Sequence, residues 1–390
     1  MDALMLPLNW QRVRLGDIAE INPPTIIPNV FYYIDLENVE KGQLLNKQLM
    51  TKNKAPSRAR RLLSKNDILY QLVRPYQRNN YFFTLNGNYV ASTGYAQIRT
   101  LQNPSFLYFA LHSNYFVNAV LDRCEGTSCP AISSNELKKC EVILPPLNEQ
   151  IAIANILSTL DRYLYALDAL ILKKEGVKKA LSFELLSQRK RLKGFNQAWQ
   201  RVKVKDFGII ITGSTPLTQI SEYWNGTISW ITPTDINDNK DIFNSERKIT
   251  QKGLDTIRMI PKNSVLVTCI ASIGKNAILR VNGACNQQIN AIIPNKDFNA
   301  DFIYYLMENN KQYLLGKAGV TATYIISKQV FEEIDFFVPK DLNEQSAIAN
   351  ILSALDNEIA SLKNKKRQFE NIKKTLNHDL MSAKIRVLKK

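Results

Sequence analysis

The amino-acid sequence predicts an α+β fold in which a mixed α/β domain, followed by one long helix, occurs twice. Two observations lead to this prediction. A segment that opens with Leu-Asn-Glu-Gln occurs at 147 and again at 342, and a heptad pattern of apolar residues follows each copy. The shift of 195 residues is half of the 390-residue chain, as expected for a tandem duplication. The predicted bounds are 1–145 and 195–339 for the domains, and 146–194 and 340–390 for the helices.

Shorter matches support the duplication along the rest of the chain. They occur in the same order in both halves: Trp10-Gln11-Arg12-Val13 with Trp199-Gln200-Arg201-Val202, Lys65-Asn66 with Lys262-Asn263, Phe106-Leu107-Tyr108 with Phe302-Ile303-Tyr304, and 126–133 with 319–327. Within the domains, short apolar runs bounded by Gly, Asn and Pro predict strands at 67–70, 89–91, 265–267 and 291–293. A helix is predicted at 105–120, with its counterpart at 300–315.

The predicted long helices begin after Pro145-Pro146 and after Pro339, each with an Asn able to cap the first turn. Apolar residues then alternate at spacings of three and four, which is typical of a coiled-coil seam. The seam residues are Leu157, Leu160, Leu164 and Leu167 in the first helix, and Leu352, Leu355, Ile359 and Leu362 in the second. The seam is interrupted by Lys174, Lys178, Lys366 and Lys373. The residues leave the pair's orientation open, and two ordinary bundle helices are the alternative.

The composition predicts a folded, basic protein. Lys and Arg number 51 against 35 acids, a formal charge of +16, while 45% of residues are apolar. Such a charge favours a polyanionic partner, either DNA or a membrane surface. No apolar run approaches the roughly 20 residues of a spanning helix, and the first residues do not resemble a signal peptide, so we expect no membrane contact and a cytoplasmic location. Five irregularly spaced cysteines and two histidines favour reduced thiols over disulfides or zinc.

Three sequence fragments resemble catalytic motifs but lack essential parts. Asn22-Pro23-Pro24 is followed by Thr25, where an amino-methyltransferase needs an aromatic residue to stack on a flipped base. Asp235, Asp238 and Lys240 resemble part of a nuclease site, but the acids are too close together for separate strands. Gly274-Lys275 lacks the other residues of a phosphate-binding loop. We therefore expect no active site, metal or cofactor in this chain.

Basic, aromatic and amide side chains cluster where a DNA duplex could be recognised, since Arg pairs with guanine and Asn or Gln with adenine. The candidates in the first domain are Arg58, Arg60, Arg61, Arg74, Tyr76, Gln77 and Arg78. Those in the second domain are Ser272, Lys275, Asn276, Gln287, Gln288, Thr321 and Tyr324. The alternative is that the basic segments are solvated loops and that the amides bond to backbone groups at strand ends.

Over nearly its whole length the sequence resembles the specificity subunits of type I restriction-modification systems. The second half carries most of the resemblance, in Gly213-Ser214-Thr215-Pro216, Tyr223-Trp224-Asn225-Gly226, Ala271-Ser272-Ile273-Gly274-Lys275 and the helix-opening Leu342-Asn343-Glu344-Gln345. The first domain departs from the pattern, with Asn22-Pro23-Pro24 and Arg74-Pro75-Tyr76 at the corresponding loops.

The resemblance implies two target-recognition domains, each reading one half of a bipartite DNA site. A pair of long antiparallel coiled-coil helices would separate them, giving a pseudo-twofold internal repeat. It also implies two modification subunits that bind S-adenosylmethionine and restriction subunits that use ATP and magnesium, so that catalysis lies in the partners. Two alternatives remain from the residues themselves: a fused methyltransferase or nuclease using the Asn22 or Asp235 region, and a coiled-coil scaffold.

Overall fold

The computed structural model describes residues 6–126, 128–237, 239–320 and 323–387. Its contacts divide the chain into two compact units. The first unit comprises Met1–Ala169 with Asn364–Lys390, and the second comprises Leu170–Lys363. Each unit therefore contains one mixed domain together with a segment of both long helices.

The first unit contains two four-stranded sheets. One is antiparallel throughout, with the strands Ala19–Ile21, Tyr95–Thr100, Ile68–Gln71 and Tyr81–Phe82 in spatial order. The other is mixed, with the order Gln48–Thr51, Val30–Ile34, Tyr89–Ser92 and Ala59–Leu62. Two further pairs are Gln11–Arg14 with Glu141–Leu144 and Val39–Glu40 with Gln43–Leu44. The short helices are Leu15–Ile18, Pro104–Ala110, Asn114–Leu121 and Ser134–Lys139, and 3-10 turns span Leu36–Asn38, Lys52–Lys54 and Pro75–Gln77.

The second unit is built around a five-stranded sheet. Its strands are Gly208–Thr212, Ile289–Pro294, Ser264–Thr268, Asn276–Leu279 and Asp241–Ile242 in spatial order. A three-stranded sheet has the order Lys248–Ile249, Trp224–Ile231 and Gly283–Cys285. The remaining pairs are Trp199–Lys203 with Asp335–Pro339 and Gly319–Val320 with Tyr324–Ile325. The short helices are Gln251–Leu254, Ala300–Asn309, Lys311–Leu315 and Lys328–Glu333, and 3-10 turns span Val204–Phe207 and Ser221–Tyr223.

All four predicted strands are present, whereas the predicted helix at 105–120 is divided into two. The first part ends at Ala110, and Ser113 then caps a new helix by accepting a hydrogen bond from the Phe116 N–H. Its counterpart is divided at Asn310. A side chain that caps a new helix competes with continuation of the old one, which explains the break.

The two long helices span Leu147–Leu186 and Leu342–Met381, each of 40 residues. Both end earlier than the predicted 194 and 390. The reason is local, because Gln188 and Ala383 have left-handed φ angles of 60° and 56°. The N–H groups of Lys190 and Lys384 then bond to helical carbonyls six and five residues earlier, which closes the last turn.

The predicted seam residues face inward in both units. Leu157, Leu167, Leu352 and Ile359 are buried, and the other four are half-buried. In the first unit Leu157 belongs to the same core as Leu380 and Met381. In the second unit Leu352 shares a core with Leu185 and Leu186, which are the equivalent residues at a shift of 195. The apolar heptads therefore contribute directly to the core of each domain.

The lysines that interrupt the seam form ion pairs with acids of the other long helix. In the first unit, Lys373 pairs with Asp161, and Lys366 pairs with Asp168 at 2.5 Å. In the second unit, Lys178 pairs with Asp356 at 2.5 Å, Lys174 with Glu358 at 2.8 Å and Lys363 with Glu175 at 2.7 Å. These contacts explain how the seam tolerates lysine, because the charged end of each side chain reaches an acid of the other helix.

The repeated Trp-Gln-Arg-Val and Leu-Asn-Glu-Gln motifs meet in a buried charge cluster. In the first unit the carboxylate of Glu149, 2% exposed, accepts hydrogen bonds from the Trp10 indole N–H at 3.0 Å and from two nitrogens of Arg386. In the second unit Glu344 binds Trp199 and Arg191 in the same way. A buried carboxylate needs such partners, so the repeated motifs are explained by the fold.

Candidate functional site

The candidates Arg74, Tyr76 and Gln77 lie together on one exposed turn of the first unit. Arg74 has a left-handed φ of 54°, and its N–H donates to the carbonyl of Pro130 at 2.8 Å. Tyr76 is half exposed, and the Gln77 carboxamide oxygen accepts a hydrogen bond from Gln71. The turn therefore presents a cation, a phenol ring and an amide to solvent on a backbone held by a neighbouring hairpin.

Arg78 is placed differently from its neighbours. Its two terminal nitrogens donate to the His112 carbonyl at 2.9 Å and to the Asn114 side chain at 2.8 Å, and burial lowers its pKa. Both bonds tie the end of the turn to the break between the two short helices. These contacts give Arg78 a structural role at the end of the turn.

The basic segment at 57–61 lies beside this turn. The Arg58 guanidinium is exposed and pairs with Asp35 at 2.8 Å, and Arg60 donates from Nε to the Ser57 carbonyl. The turn at 92–94 is bonded to Arg58 and to the residue that leads into the turn at 74–78, since Thr93 N–H donates to the Arg58 carbonyl and the Leu72 N–H donates to the Gly94 carbonyl. The backbones of the two predicted basic segments of the first unit are thus connected through one turn.

The second unit has the same backbone arrangement with different side chains. Ala271 has a left-handed φ of 60°, and its N–H donates to the Tyr324 carbonyl at 3.0 Å, as Arg74 does to Pro130. Ser272 and Lys275 are exposed on this loop, and Tyr324 is 48% exposed on the adjoining hairpin. Thr321 lies outside the described residues. The equivalent loops of the two units therefore differ in what they present.

Two further loops of the second unit adjoin this one. The Cys269 N–H donates to the carbonyl of Gln288, and Ser214 N–H donates to the carbonyl of Cys285. Thr215 donates to the exposed Gln287 side chain at 2.6 Å. Gly213 is required where the loops cross, because a Cβ there would lie 2.1 Å from the Asn286 carbonyl oxygen.

The amide-rich segment 286–290 divides into structural and exposed residues. Asn286 and Asn290 are buried; the first bonds to Gln288, and the second accepts from Thr212 and contacts the Cys269 sulfur. Gln287 is exposed and Gln288 half-buried. Of the predicted amides in this segment, Gln287 is thus the one most accessible to a ligand.

Asn276 is buried, contrary to the expectation of an exposed recognition residue. It is 3% exposed, and its Nδ2 donates to the Tyr304 carbonyl at 2.8 Å. The neighbouring Lys275 points to solvent and makes no ion pair among the described residues. The difference arises because Asn276 is the first residue of the strand Asn276–Leu279, all of which is buried, whereas Lys275 is exposed in the loop before it.

The structure reveals an arginine that sequence reasoning missed. The Arg247 guanidinium carbon lies 4.2 Å from the Trp224 ring centroid and 4.9 Å from that of Trp230, and the two indoles are nearly perpendicular. The indole N–H groups donate to carbonyls of the 213–217 loop, at Leu217 and Ser214. Arg247 is exposed, and its guanidinium makes no hydrogen bond or ion pair within the described chain. The stack holds a cation in place and leaves its donors available.

Two of the three fragments that resembled catalytic motifs have structural explanations. The Asn22 carboxamide donates to Ser134 and accepts from the Gln97 N–H, in a residue with a left-handed φ of 57°. Asp235 accepts from Thr232 and from the Glu246 N–H, which fixes its loop. Asp238 lies outside the described residues. Among the residues described, no group of three or more His, Cys, Asp or Glu side chains is arranged to hold a metal ion.

Three buried cysteines are held in the thiol form by their surroundings. Burial raises the pKa of Cys140 to about 11 and those of Cys269 and Cys285 to about 12. A thiol with such a pKa is a poor nucleophile at neutral pH.

In the described part of the chain, no helix combines the length and apolarity needed to cross a membrane.

A groove of about 1020 Å³ in the first unit contains His112 in its wall. The His112 Nδ1 lies 2.7 Å from the Tyr108 carbonyl, so it carries a proton and donates, while Nε2 faces the Asn80 amide nitrogen at 3.4 Å. Burial, helped by the nearby charges of Lys373 and Arg78, lowers the pKa of His112 to about 4. This imidazole is therefore neutral at neutral pH.

Comparison with known proteins agrees with the duplicated architecture. The family profile described as "Type I restriction modification DNA specificity domain" matches residues 7–174 and again 196–371. The HindI specificity subunit of Haemophilus influenzae, a type I restriction enzyme subunit, is 25% identical over 418 residues, covering 85% of this chain and 90% of that protein. The MjaIX specificity subunit of Methanocaldococcus jannaschii is 36% identical over 182 residues, 45% of this chain and 41% of that protein.

A solved structure shows the same fold. The S subunit of the type I restriction-modification system of M. genitalium superposes with a TM-score of 0.64 at 16% identity, covering 96% of this chain and 98% of that one. The MjaIX match spans less than half of that relative, whereas the two domain matches together span most of this chain. The chain therefore belongs to the type I restriction-modification DNA specificity family, of which it contains two domains, and it is a DNA-specificity subunit.

Proposed function

We propose that each mixed domain reads one half of a bipartite DNA site. The observation that carries this proposal is the shared loop geometry of Arg74 and Ala271, which have the same left-handed backbone and the same bond to a hairpin. Different polar side chains stand on these equivalent loops. One scaffold with two sets of side chains is what two different half-sites require, because base edges are distinguished by donor and acceptor pattern.

The side chains proposed to touch DNA include predicted residues that the fold leaves exposed or half-buried. In the first domain they are Arg58, Arg60, Arg61, Arg74, Tyr76 and Gln77, and in the second they are Ser272, Lys275, Gln287, Gln288, Tyr324 and Arg247. Thr321, outside the described residues, stays in the set on the sequence prediction alone. Arg247 joins the set because its stacked guanidinium has no other partner in the described chain. Basic residues at both surfaces would contribute a salt-dependent term to binding.

The two long helices are proposed to pair antiparallel as a coiled coil that spaces the half-sites. The ion pairs support this orientation. In the first unit, the partner of Asp161 is Lys373 and the partner of Asp168 is Lys366, so one helix ascends as the other descends. The pairs Asp161–Lys373 and Asp356–Lys178 are equivalent at a shift of 195 residues, as a pseudo-twofold repeat would require.

Removing one heptad from each helix tests the spacing role. Deletion of 171–177 and 366–372, equivalent segments, keeps the seam in phase and shortens the pair by about 10 Å, or about three base pairs. Selection from randomised duplexes is expected to return both half-sequences unchanged with a gap shorter by about three base pairs. An unchanged gap contradicts the spacing role. Changed half-sequences contradict the assignment of reading to the domains.

Catalysis is proposed to lie in partner subunits in the cytoplasm. Two modification subunits would supply S-adenosylmethionine-dependent methylation of adenine, and restriction subunits would use ATP and magnesium. The experiment is to incubate the purified chain with duplex DNA and labelled S-adenosylmethionine, or with magnesium, and then add purified modification subunits. Methyl transfer is expected only after the modification subunits have been added. Turnover by the chain itself would favour the fused-enzyme alternative.

A further inference from the structure

An open cavity of about 460 Å³ lies in the first unit, between the segment that follows Asn22 and the strand Ala59–Leu62. Its wall is fixed by the chain. The nitrogen and the oxygen of the Asn22 carboxamide are both hydrogen-bonded, and Pro23 and Pro24 restrict the backbone that follows. The Thr25 hydroxyl contacts the Arg60 carbonyl and the Leu62 N–H, each at 3.5 Å. The cavity is therefore preformed, which lowers the entropic cost of occupying it.

The charge around the cavity has one sign. Lys52, Arg60 and Arg61 line it, and none of the other lining residues is acidic. Burial lowers the pKa of Arg61, and the nearby charge of Arg60 lowers it further. Like charges placed together raise the energy of the empty site, and an anion between them would relieve that repulsion.

Arg61 also has unused hydrogen-bonding capacity. Its Nε is buried with no partner, and the side chain makes no hydrogen bond or ion pair within the described residues. Arg60 uses only Nε, on the Ser57 carbonyl. Two guanidinium groups with free terminal nitrogens, beside an ammonium group, offer the donors that a phosphate group accepts.

We propose that this cavity binds a phosphate group, held by Lys52, Arg60 and Arg61, and that the group belongs to the DNA backbone beside the first half-site. The assignment of this phosphate group to DNA rests on the proposed function. The assignment of a phosphate site rests only on the charges and the free donors of the cavity. A contact of this kind fixes the position of the domain on the duplex without reading a base.

The first arm of the test measures DNA affinity of the full chain, assembled with its modification subunits, as a function of salt. Lys52→Gln and Arg61→Gln are each expected to reduce the slope of log affinity against log salt by about 1, and to weaken binding equally on every sequence. Lys54→Gln is the matched control, because Lys54 belongs to the same 3-10 turn but does not line the cavity. It is expected to leave the slope unchanged.

The second arm uses inorganic phosphate with no DNA present. Phosphate, compared with chloride at equal ionic strength, is expected to raise the melting temperature of the wild-type chain and of Lys54→Gln, but not of Arg61→Gln or Lys52→Gln. Lys52 is exposed, so its variant remains informative if Arg61→Gln fails to fold. A phosphate effect with unchanged DNA slopes would support the phosphate site and assign it to a free phosphate compound.

The absence of both effects in a chain that binds DNA would overturn the inference and leave the proposed function standing. A wild-type complex that shows no sequence-specific duplex binding would overturn the proposed function, while the phosphate arm would still decide the cavity.

Discussion

Arg386 reaches the buried carboxylate of Glu149, 237 positions earlier in the chain, through hydrogen bonds of 2.7 and 2.9 Å. The same carboxylate accepts the Trp10 indole N–H. Three distant parts of the sequence are thereby joined at the start of the first long helix. Glu344, Arg191 and Trp199 repeat the arrangement in the second unit.

Glu149→Gln is expected to lower the free energy of unfolding of the first unit by about 2 kcal/mol. Glutamine has nearly the same shape but removes the charge that both guanidinium nitrogens meet in a buried position. Urea unfolding followed by circular dichroism measures the change. Glu141→Gln serves as the control, because Glu141 is exposed and makes no ion pair in the described chain. Equal midpoints for both variants would contradict the structural role of Glu149.

Lys275→Gln and Asn276→Ala are expected to change different properties, although the residues are adjacent: the first lowers the DNA affinity and the second lowers the stability. Lys275→Gln should weaken duplex binding and leave the melting temperature unchanged, because its side chain is exposed. Asn276→Ala should cost about 1–2 kcal/mol of stability, since the buried hydrogen bond from Asn276 to the Tyr304 carbonyl is lost. Among the folded molecules, the DNA affinity of Asn276→Ala should equal that of wild type. Titration with the duplex measures the DNA affinity of each variant, and thermal melting measures its stability.

Arg247→Lys is expected to weaken binding to the preferred duplex by roughly 5- to 30-fold, corresponding to about 1–2 kcal/mol. Lysine keeps the charge but loses the planar, forked donor set that the two indoles hold in place. Binding should be measured on the preferred duplex and on single-base variants of each half-site. Arg258→Lys is the control, since Arg258 is also exposed and unpaired among the described residues. Equal losses for both variants would remove Arg247 from the recognition set.

Stability of the first unit is expected to fall as the pH drops from about 6.5 towards 4. His112 has its pKa lowered to about 4 in the folded state, so the unfolded chain takes up a proton first and is favoured as the pH falls. The contribution is about 3 kcal/mol, fully present above pH 6.5 and lost through that interval. His112→Gln should flatten this part of the profile. The chain has two histidines, so NMR of their labelled imidazoles can follow the His112 titration directly. A His112 midpoint near 6.5 would contradict the prediction.

Sequence reasoning succeeded where the signal was local or repeated. The four predicted strands were found because short apolar runs mark them, and the helix-opening motifs placed the start of both long helices correctly. It placed their ends too late, because nothing in the local pattern announces the left-handed backbone of Gln188 or Ala383.

The parts of the site that were missed depend on pairing between distant strands. Arg247 meets Trp230 because Lys248–Ile249 pairs with Trp224–Ile231, and no spacing rule predicts that register. The seam lysines were recognised as interruptions, but their acidic partners lie on the other helix. The burial of Asn276 likewise depends on which face of its strand meets Tyr304.

The first unit takes part of its core, Leu380 and Met381, and the Arg386 partner of Glu149 from a segment that follows the whole second unit in the chain. Its domain therefore emerges during translation without the residues that complete it, and the intervening half must be synthesised before it can close. We expect the nascent first half to remain exposed to chaperones and proteases for that interval. A chain truncated before 364 would carry this vulnerability permanently, with its second unit intact and its first unit unfinished.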